Sequence, residues 1–511
     1  MSRTENAVKN VSTGLLGRAI SILLGFVSRT VFIYCLGNEY LGINGLYTEV
    51  LSVLSFAELG FGTALTYAMY KPVANNDRTM VVRLTQYYKK IYRVVVFIVA
   101  LFGLVTVPLL PYVVKGAEQL SVFHLRLYYL FFLFNTIISY FVTYKYGVVN
   151  AHQKNYLITN IDMLVNSIIL IVQIIILFVF KSYLAYLMAQ SLLLLASKVI
   201  ISHYLNQKFD VLKEKTNEKL PEAERQSILK NVKGLVIHQF SNVAVHSTDN
   251  IIISMFSGMG VVGVGLISNY TMLMNAVVSF LTIMFSNISS GFGNLVASST
   301  AENYRKTFWE AQFISVWLYG FCSIAFFVLI PPFITLWIGE QNLIDTTSFV
   351  LIVLNCYLLG QSGLYNNVRI AKGDFNLDKW WSLAQALVNL VVSVIFAKIC
   401  GLRGVYIGTV VSRLVNLIGK PYATYKFLFE TSAAEYYKKM FIYFLGVLFA
   451  GVVTYWISTY ILTTITVLKF ILCGLMVAIV PNVLFWVMFR RESAYANSVL
   501  RVKTVMGRFK K

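Results

Sequence analysis

Two arginines, one glutamate and a histidine–aspartate stripe stand inside runs that are otherwise apolar enough for a bilayer. Arg18 and Arg29 lie in the stretch from Val11 to Gly37. At 100° per residue, Arg18, Ser21, Gly25 and Arg29 share one helical face. A charge at the centre of a span costs at least about 2.5–3.5 kcal/mol on insertion scales, so such a stripe is expected to face a protein-lined cavity. Arg29 is about seven residues from the outer end of its span, roughly 10 Å of helix, which is deep for snorkelling. Its chemistry as a guanidinium is the binding of an anion, with a structural ion pair as the competing role. Arg18 is closer to the inner end, where snorkelling competes with a cavity role. Arg413 shares a face with Asn416 and is a third candidate for the same cavity.

The remaining charged candidates suit coupling or gating. Glu58 stands in Phe-Ala-Glu58-Leu-Gly60-Phe-Gly62 and could instead pair with Arg18. His238, Asn242, His246 and Asp249 fall at i, i+4, i+8 and i+11, one face of a continuous helix. Asp249 could bind a coupling cation, accept a proton or close a salt bridge. His238 and His246 are either satisfied core histidines or titrating groups.

The elements that must position these residues are transmembrane helices. The chain has 511 residues, of which 58% are hydrophobic and 13% charged. Apolar runs of about 20 residues recur from end to end. The expected fold is all-α: a polytopic membrane protein of about 14 spans. They run over about 14–36, 41–66, 94–112, 122–144, 157–180, 183–204, 234–257, 261–290, 309–337, 346–368, 380–397, 404–425, 440–462 and 470–489. Long apolar runs, rather than short alternating ones, exclude an outer-membrane barrel.

A net charge of +21 raises nucleic acid as a partner, but its distribution argues for topology instead. With the N-terminus placed inside, most of the 43 Lys and Arg fall in inner segments. The outer segments hold Lys115, Lys181, Lys398, Arg403 and Lys469. The positive-inside rule predicts this skew, and it implies that both termini are cytoplasmic. Anionic lipids of the inner leaflet suit the same basic ends.

The second half echoes the first. Gly37 and Gly42 match Gly258 and Gly263 at an offset of 221, as Pro111 matches Pro332. At an offset of 220, Arg18 falls on His238 and Arg29 on Asp249. These matches favour a duplicated core: an N-lobe over 1–206 (spans one to six), a charged cytoplasmic linker over 207–230, and a C-lobe over 231–430 (spans seven to twelve). The segment 431–511 adds two C-terminal spans and a basic tail. Each half begins inside and has an even span count, so the two six-helix lobes are parallel repeats. The linker reads as a solvated connection.

No catalytic constellation is present: there is no Walker A loop, G-x-S-x-G, H-E-x-x-H or paired Cys-x-x-Cys. The expectation is a protein that is not an enzyme and holds no cofactor or metal. Work would then come from Na+, H+ or the membrane potential. The five cysteines lie in or near spans and read as buried thiols. The first ten residues are polar, without an A-x-A site after an uncharged core, which predicts a retained first span.

The opening with Arg18 and Arg29, the stretch Glu58-Leu-Gly-Phe-Gly-Thr-Ala, and Thr248-Asp249-Asn-Ile-Ile-Ile-Ser resemble the Wzx-type polysaccharide flippases of the MOP superfamily. The likeness runs over essentially the whole chain. It implies two MATE-like six-helix lobes around an alternately opened cavity in a bacterial inner membrane. It also implies an undecaprenyl-pyrophosphate-linked oligosaccharide as cargo, with polysaccharide polymerases and glycosyltransferases as partners. Arg29, Arg18 and Arg413 would then meet the pyrophosphate. A lipid II flippase of the same superfamily is the nearest alternative. A multidrug or cation antiporter would favour acidic cavity residues over arginines. A membrane polysaccharide polymerase would need a long outer loop, and none exceeds about a dozen residues.

Overall fold

A computed structural model describes residues 3–498, apart from 59, 119, 217, 299–300 and 373–376; side chains are not described for 3–19, 234, 286–298, 301 and 367–372. Among the described residues there is no β-strand. Among the described residues, eleven helices are long and apolar enough to cross a membrane. The fold is that of a multi-pass helical membrane protein, as composition requires. The chain divides into two compact units, Met1–Gly265 and Leu266–Lys511. The contacts thus part beyond the segment 207–230.

In the first unit, α1 (Arg3–Leu54) carries the first two expected spans. The break expected between the spans 14–36 and 41–66 is reduced to one residue, Gly37, with φ 84° and ψ −179°. An L side chain is strained there. Gly258, its repeat counterpart, has φ 78°, so the 221-residue offset carries a backbone conformation as well as a residue type. Phe32 before the kink and Tyr40 after it both pack on Tyr183. The expected second span is interrupted: a 3-10 turn, Ser55–Glu58, and a left-handed Gly60 separate α1 from α2 (Phe61–Ala74).

Next come α3 (Arg78–Thr106), the short α4 (Leu110–Val113), α5 (Val122–Ala151), α6 (Asn155–Phe180) and α7 (Tyr183–Lys208). Their starts are written locally. Asp77 accepts the Met80 N–H at 2.9 Å to cap α3, and Ser121 and Ser182 cap α5 and α7. Tyr47 is fully buried and donates its hydroxyl to the Leu125 carbonyl at 2.9 Å, tying α1 to α5.

The segment after α7 keeps most of its charged side chains exposed but is anchored at a few points. Phe209 and Leu212 are buried with Leu84, Tyr88 and Leu205. Arg78 pairs with Glu214 and Arg83 with Glu218, and Gln86 Nε2 donates to the Glu214 carbonyl at 2.8 Å. The charges are spent on docking the segment to the first turns of α3. Span seven then appears as two helices, α8 (Glu222–His246) and α9 (Asp249–Phe256). α10 (Gly260–Ser298) follows.

The second unit contains α11 (Ala301–Ile338), α12 (Thr346–Lys372), α13 (Lys379–Cys400), α14 (Leu402–Phe427), α15 (Ala434–Ile461) and α16 (Val467–Phe489). Gly401, with φ 61°, joins α13 to α14. A Cβ on Gly404 would run into the Phe396 carbonyl and one on Gly408 into Ser393, so the two backbones pack almost in contact. The seam is polar. Ser382, Gln385, Asn389 and Ser393 form a buried stripe on α13. Asn389 Nδ2 lies 3.4 Å from Ser412 Oγ, and Ser393 donates to the Val405 carbonyl at 3.2 Å. Such interhelical bonds contribute about 0.6 kcal/mol each. Lys420, near the end of α14, is buried against Asp378. Of the five cysteines, Cys322, Cys356 and Cys473 are buried, Cys35 is half-buried and Cys400 is exposed.

Asp345, just before α12, supplies a pH-dependent contact. Burial raises its pKa, but bonds from Ser348 and Arg403 outweigh this and hold the carboxyl below its usual range. The Arg403 Nε–Oδ1 distance is 2.8 Å. A depressed carboxylate stabilises the fold at pH above its unfolded value of about 4 and loses that contribution as pH falls through its lower folded value. Both partners are partly exposed, so the contribution is under about 1 kcal/mol. Arg403→Gln is expected to flatten the acid limb of a thermal-stability profile below about pH 4. An unchanged limb refutes the coupling.

Candidate functional site

Arg29 is half-buried on α1, three residues before the packed ring of Phe32. The exposed side chains of this helix, Leu23, Val27 and Tyr34, lie on another face. Arg29 is instead an electrostatic neighbour of Tyr186 on α7. Tyr186 packs edge-on against Phe32, with ring centroids 5.3 Å apart. Gln173 on α6, buried beside it, donates to Gln190 at 3.2 Å. The Arg29 guanidinium thus meets the Tyr186 hydroxyl within the first unit, and Gln173 and Gln190 lie next to that hydroxyl. Arg18 lies outside the described side chains.

Glu58 closes the 3-10 turn between α1 and α2. Tyr92 on α3 donates its hydroxyl to the Glu58 carboxylate, and Tyr88 donates to the Gly62 carbonyl at 3.3 Å. Gly62 is required here: its Cβ would stand 2.6 Å from Glu58 Oε1 and 2.8 Å from the Tyr92 hydroxyl. The Glu58-Leu-Gly-Phe-Gly run therefore builds a tyrosine-lined carboxylate at a helix break.

Asp249 does not stand on one unbroken helix with His238 and His246. The helix stops at His246, and Ser247 and Thr248 are non-helical in pattern before α9 starts at Asp249. Ser, Thr and Asp bond locally to backbone and favour helix ends, which accounts for the break. Thr248 donates its hydroxyl to the Ala244 carbonyl at 2.7 Å. Ser247 meets Ser52 of α1, Oγ to Oγ, at 2.8 Å. His246 is exposed and His238 half-buried.

The break brings in a residue that sequence reasoning passed over. Glu49 on α1 accepts the Asn250 N–H at 2.8 Å, supplying the first turn of α9 with an acceptor from another helix. It is also an electrostatic neighbour of Asp249. Two carboxyl groups therefore stand at one interrupted helix, a geometry in which protonation of one favours ionisation of the other. The signal that singles out Glu58, an acid within an apolar run, was equally present at Glu49.

Arg413 lies in the second unit. It is half-buried on α14 and an electrostatic neighbour of Cys356 on α12. Asn416, on its face, is buried. The structure thus groups Arg29, Glu58, Asp249, His238 and His246 in the first unit and Arg413 in the second.

Comparison with known proteins places this architecture. Solved structures of similar fold include the lipid II flippase MurJ in an inward closed conformation. It is 12% identical over 93% of this chain and 98% of that one, with a TM-score of 0.66. A multidrug resistance MATE family transporter of the MOP superfamily, inward-facing, is 16% identical over 82% and 98%, with a TM-score of 0.61. The MATE transporter VcmN of Vibrio cholerae is 14% identical over 84% and 99%, with a TM-score of 0.57. At such identities the likeness is one of fold. No curated protein matches the chain. The profile of the family described as polysaccharide biosynthesis protein matches residues 7–289, more than half of the sequence. The chain is a member of the polysaccharide biosynthesis protein family, built on the fold shared by MurJ and the MATE transporters.

Proposed function

We propose that this protein is a flippase, not an enzyme, which carries undecaprenyl-pyrophosphate-linked oligosaccharide repeat units from the inner to the outer leaflet by alternating access. The observation that carries the reading is the family match over 7–289, the segment that contains Arg29 and its neighbour Tyr186. A diphosphate is the anion that a guanidinium binds in two-point fashion. Arg29 is assigned to the pyrophosphate, with Arg18 and Arg413 as further contacts. Asp249, Glu58, His238 and His246, together with Glu49, are assigned to coupling or gating, driven by Na+, H+ or the membrane potential. The protein sits in the bacterial inner membrane with both termini cytoplasmic, and polymerases and glycosyltransferases work on either side of its step.

The fold likeness to MurJ supports one second reading, a lipid II flippase. Depletion in the native cell separates the two. The proposal expects loss of a surface polysaccharide and accumulation of its lipid-linked repeat unit, while peptidoglycan synthesis continues. Accumulation of lipid II with lysis selects the second reading. Normal levels of both lipid-linked species would remove both.

A further inference from the structure

Near the basic ends of α3 and α5 the structure gathers cations that no acid answers. Lys89 Nζ lies 5.6 Å from the centre of the Tyr144 ring, and Lys145 Nζ lies 5.8 Å from the same ring. Arg93, one turn beyond Lys89, is an electrostatic neighbour of both Lys89 and Tyr144. Lys215, from the docked segment after α7, is a further neighbour of Lys89. Among the described residues none of these four cations pairs with a carboxylate, since the acids of the adjoining segment, Glu214 and Glu218, are taken by Arg78 and Arg83.

Lys145 is the telling member. It is 4% exposed. Its ammonium donates to the Ser202 carbonyl at 3.1 Å, the Ser202 hydroxyl at 2.6 Å and Asn206 Oδ1 at 2.7 Å. All three protons are used on neutral acceptors, so the positive charge stays uncompensated and acts on its surroundings through its field. The positive-inside rule explains cations that reach water; it does not explain a buried ammonium placed beside a second amine. Lys89 is half-buried and Arg93 exposed, so the cluster opens outward. Its depth is set by the sequence. Apolar residues run on from Val94 in α3, and Tyr144-Lys145 closes the apolar run of α5. Both mark the edge of the hydrocarbon layer.

We propose that Lys89 and Arg93, over Tyr144 and in the field of Lys145, bind the phosphate of a lipid headgroup in the leaflet on the basic side of the membrane. Lys89 and Arg93 supply the contacts and Lys145 the fixed charge. The phosphate relieves repulsion among the cations, and the lipid chains lie along the exposed apolar faces of Val94 and Phe97. This inference does not rest on the flippase reading.

The test uses the purified full chain in a neutral detergent, with thermal stability followed as lipid is titrated. Phosphatidylglycerol and undecaprenyl phosphate serve as the two phosphate sources, and phosphatidylcholine as the zwitterionic control. The expected result is a saturable rise in the midpoint with at least one anionic lipid, weakened by salt, and none of comparable size with phosphatidylcholine. Each surface cation near a headgroup contributes a few-fold to affinity, so K89Q/R93Q is expected to bind roughly thirtyfold more weakly. Both positions reach the surface, and the variant should keep the wild-type midpoint without lipid. A response to phosphatidylglycerol alone supports the site with a bilayer lipid as its source. A response to undecaprenyl phosphate alone supports it with the polyprenyl carrier as its source. An equal response to phosphatidylcholine, or an undiminished response of the double variant to the anionic lipids, overturns the proposal.

Discussion

Arg29→Ala is expected to cut export of the surface polysaccharide by about ten- to a hundredfold, the size of a lost charge-assisted contact. The side chain is half-buried, turned from the exposed face of α1, and set beside Tyr186. A guanidinium held in such a place already bears its desolvation cost, so an arriving phosphate gains from it more than from a surface arginine. Arg29→Lys keeps the charge and loses the planar fork, and should fall between wild type and alanine. The measurement is surface polysaccharide per cell at matched membrane levels, with the thermal midpoint of each purified variant as control. If Arg29 served only to hold the helices together, lysine and alanine would both lower the midpoint, and export would follow the amount of folded protein. Full export by the alanine variant would withdraw Arg29 from the cargo.

Lys420→Met should have the largest effect on stability, about 3–5 kcal/mol, since it removes the buried ammonium that faces a buried carboxylate. Lys420 Nζ lies 3.7 Å from Asp378 Oδ2, with the two side chains 7% and 4% exposed. Asn366 Oδ1 accepts a further bond at 2.7 Å. The pair joins α14 to the start of α13, beside the close seam at Gly419 and Trp381. Removing both charges, as K420M/D378L, is expected to recover most of the loss, because the cost lies in keeping one buried charge after its counter-charge is gone. Arg78→Ala, at an exposed pair with Glu214, should lower the midpoint far less than Lys420→Met. Thermal midpoints in detergent compare the three. A single Lys420 variant as mild as Arg78→Ala would show that water reaches the pair.

The corrections share one cause. The face drawn through His238, Asn242, His246 and Asp249 assumed an unbroken helix, and the Ser247-Thr248-Asp249 run ended it. The charge of the segment 207–230 predicts a solvated connection, and it is mostly exposed, yet Glu214 and Glu218 pair with arginines more than 130 residues earlier in the chain. Glu49 carried the same mark as Glu58, an acid in an apolar run, but its partner on α9 is 201 residues away. In each case a local pattern was present, and a distant partner chose its meaning.

Hydropathy over some 20 residues answers to the bilayer alone, and so the helical membrane fold could be read from residue order before any contact was known. The 221-residue match of Gly37 and Gly258 was likewise present in the sequence, but that both take the left-handed φ, which a residue without a Cβ adopts freely, came from the structure. Which buried charges keep company was settled by packing. Tyr186 beside Arg29, Tyr92 on Glu58, Glu49 at the head of α9 and Asp378 under Lys420 all come from other helices. Side-chain hydrogen bonds and ion pairs act over a few ångströms of space, and residue order does not encode that distance.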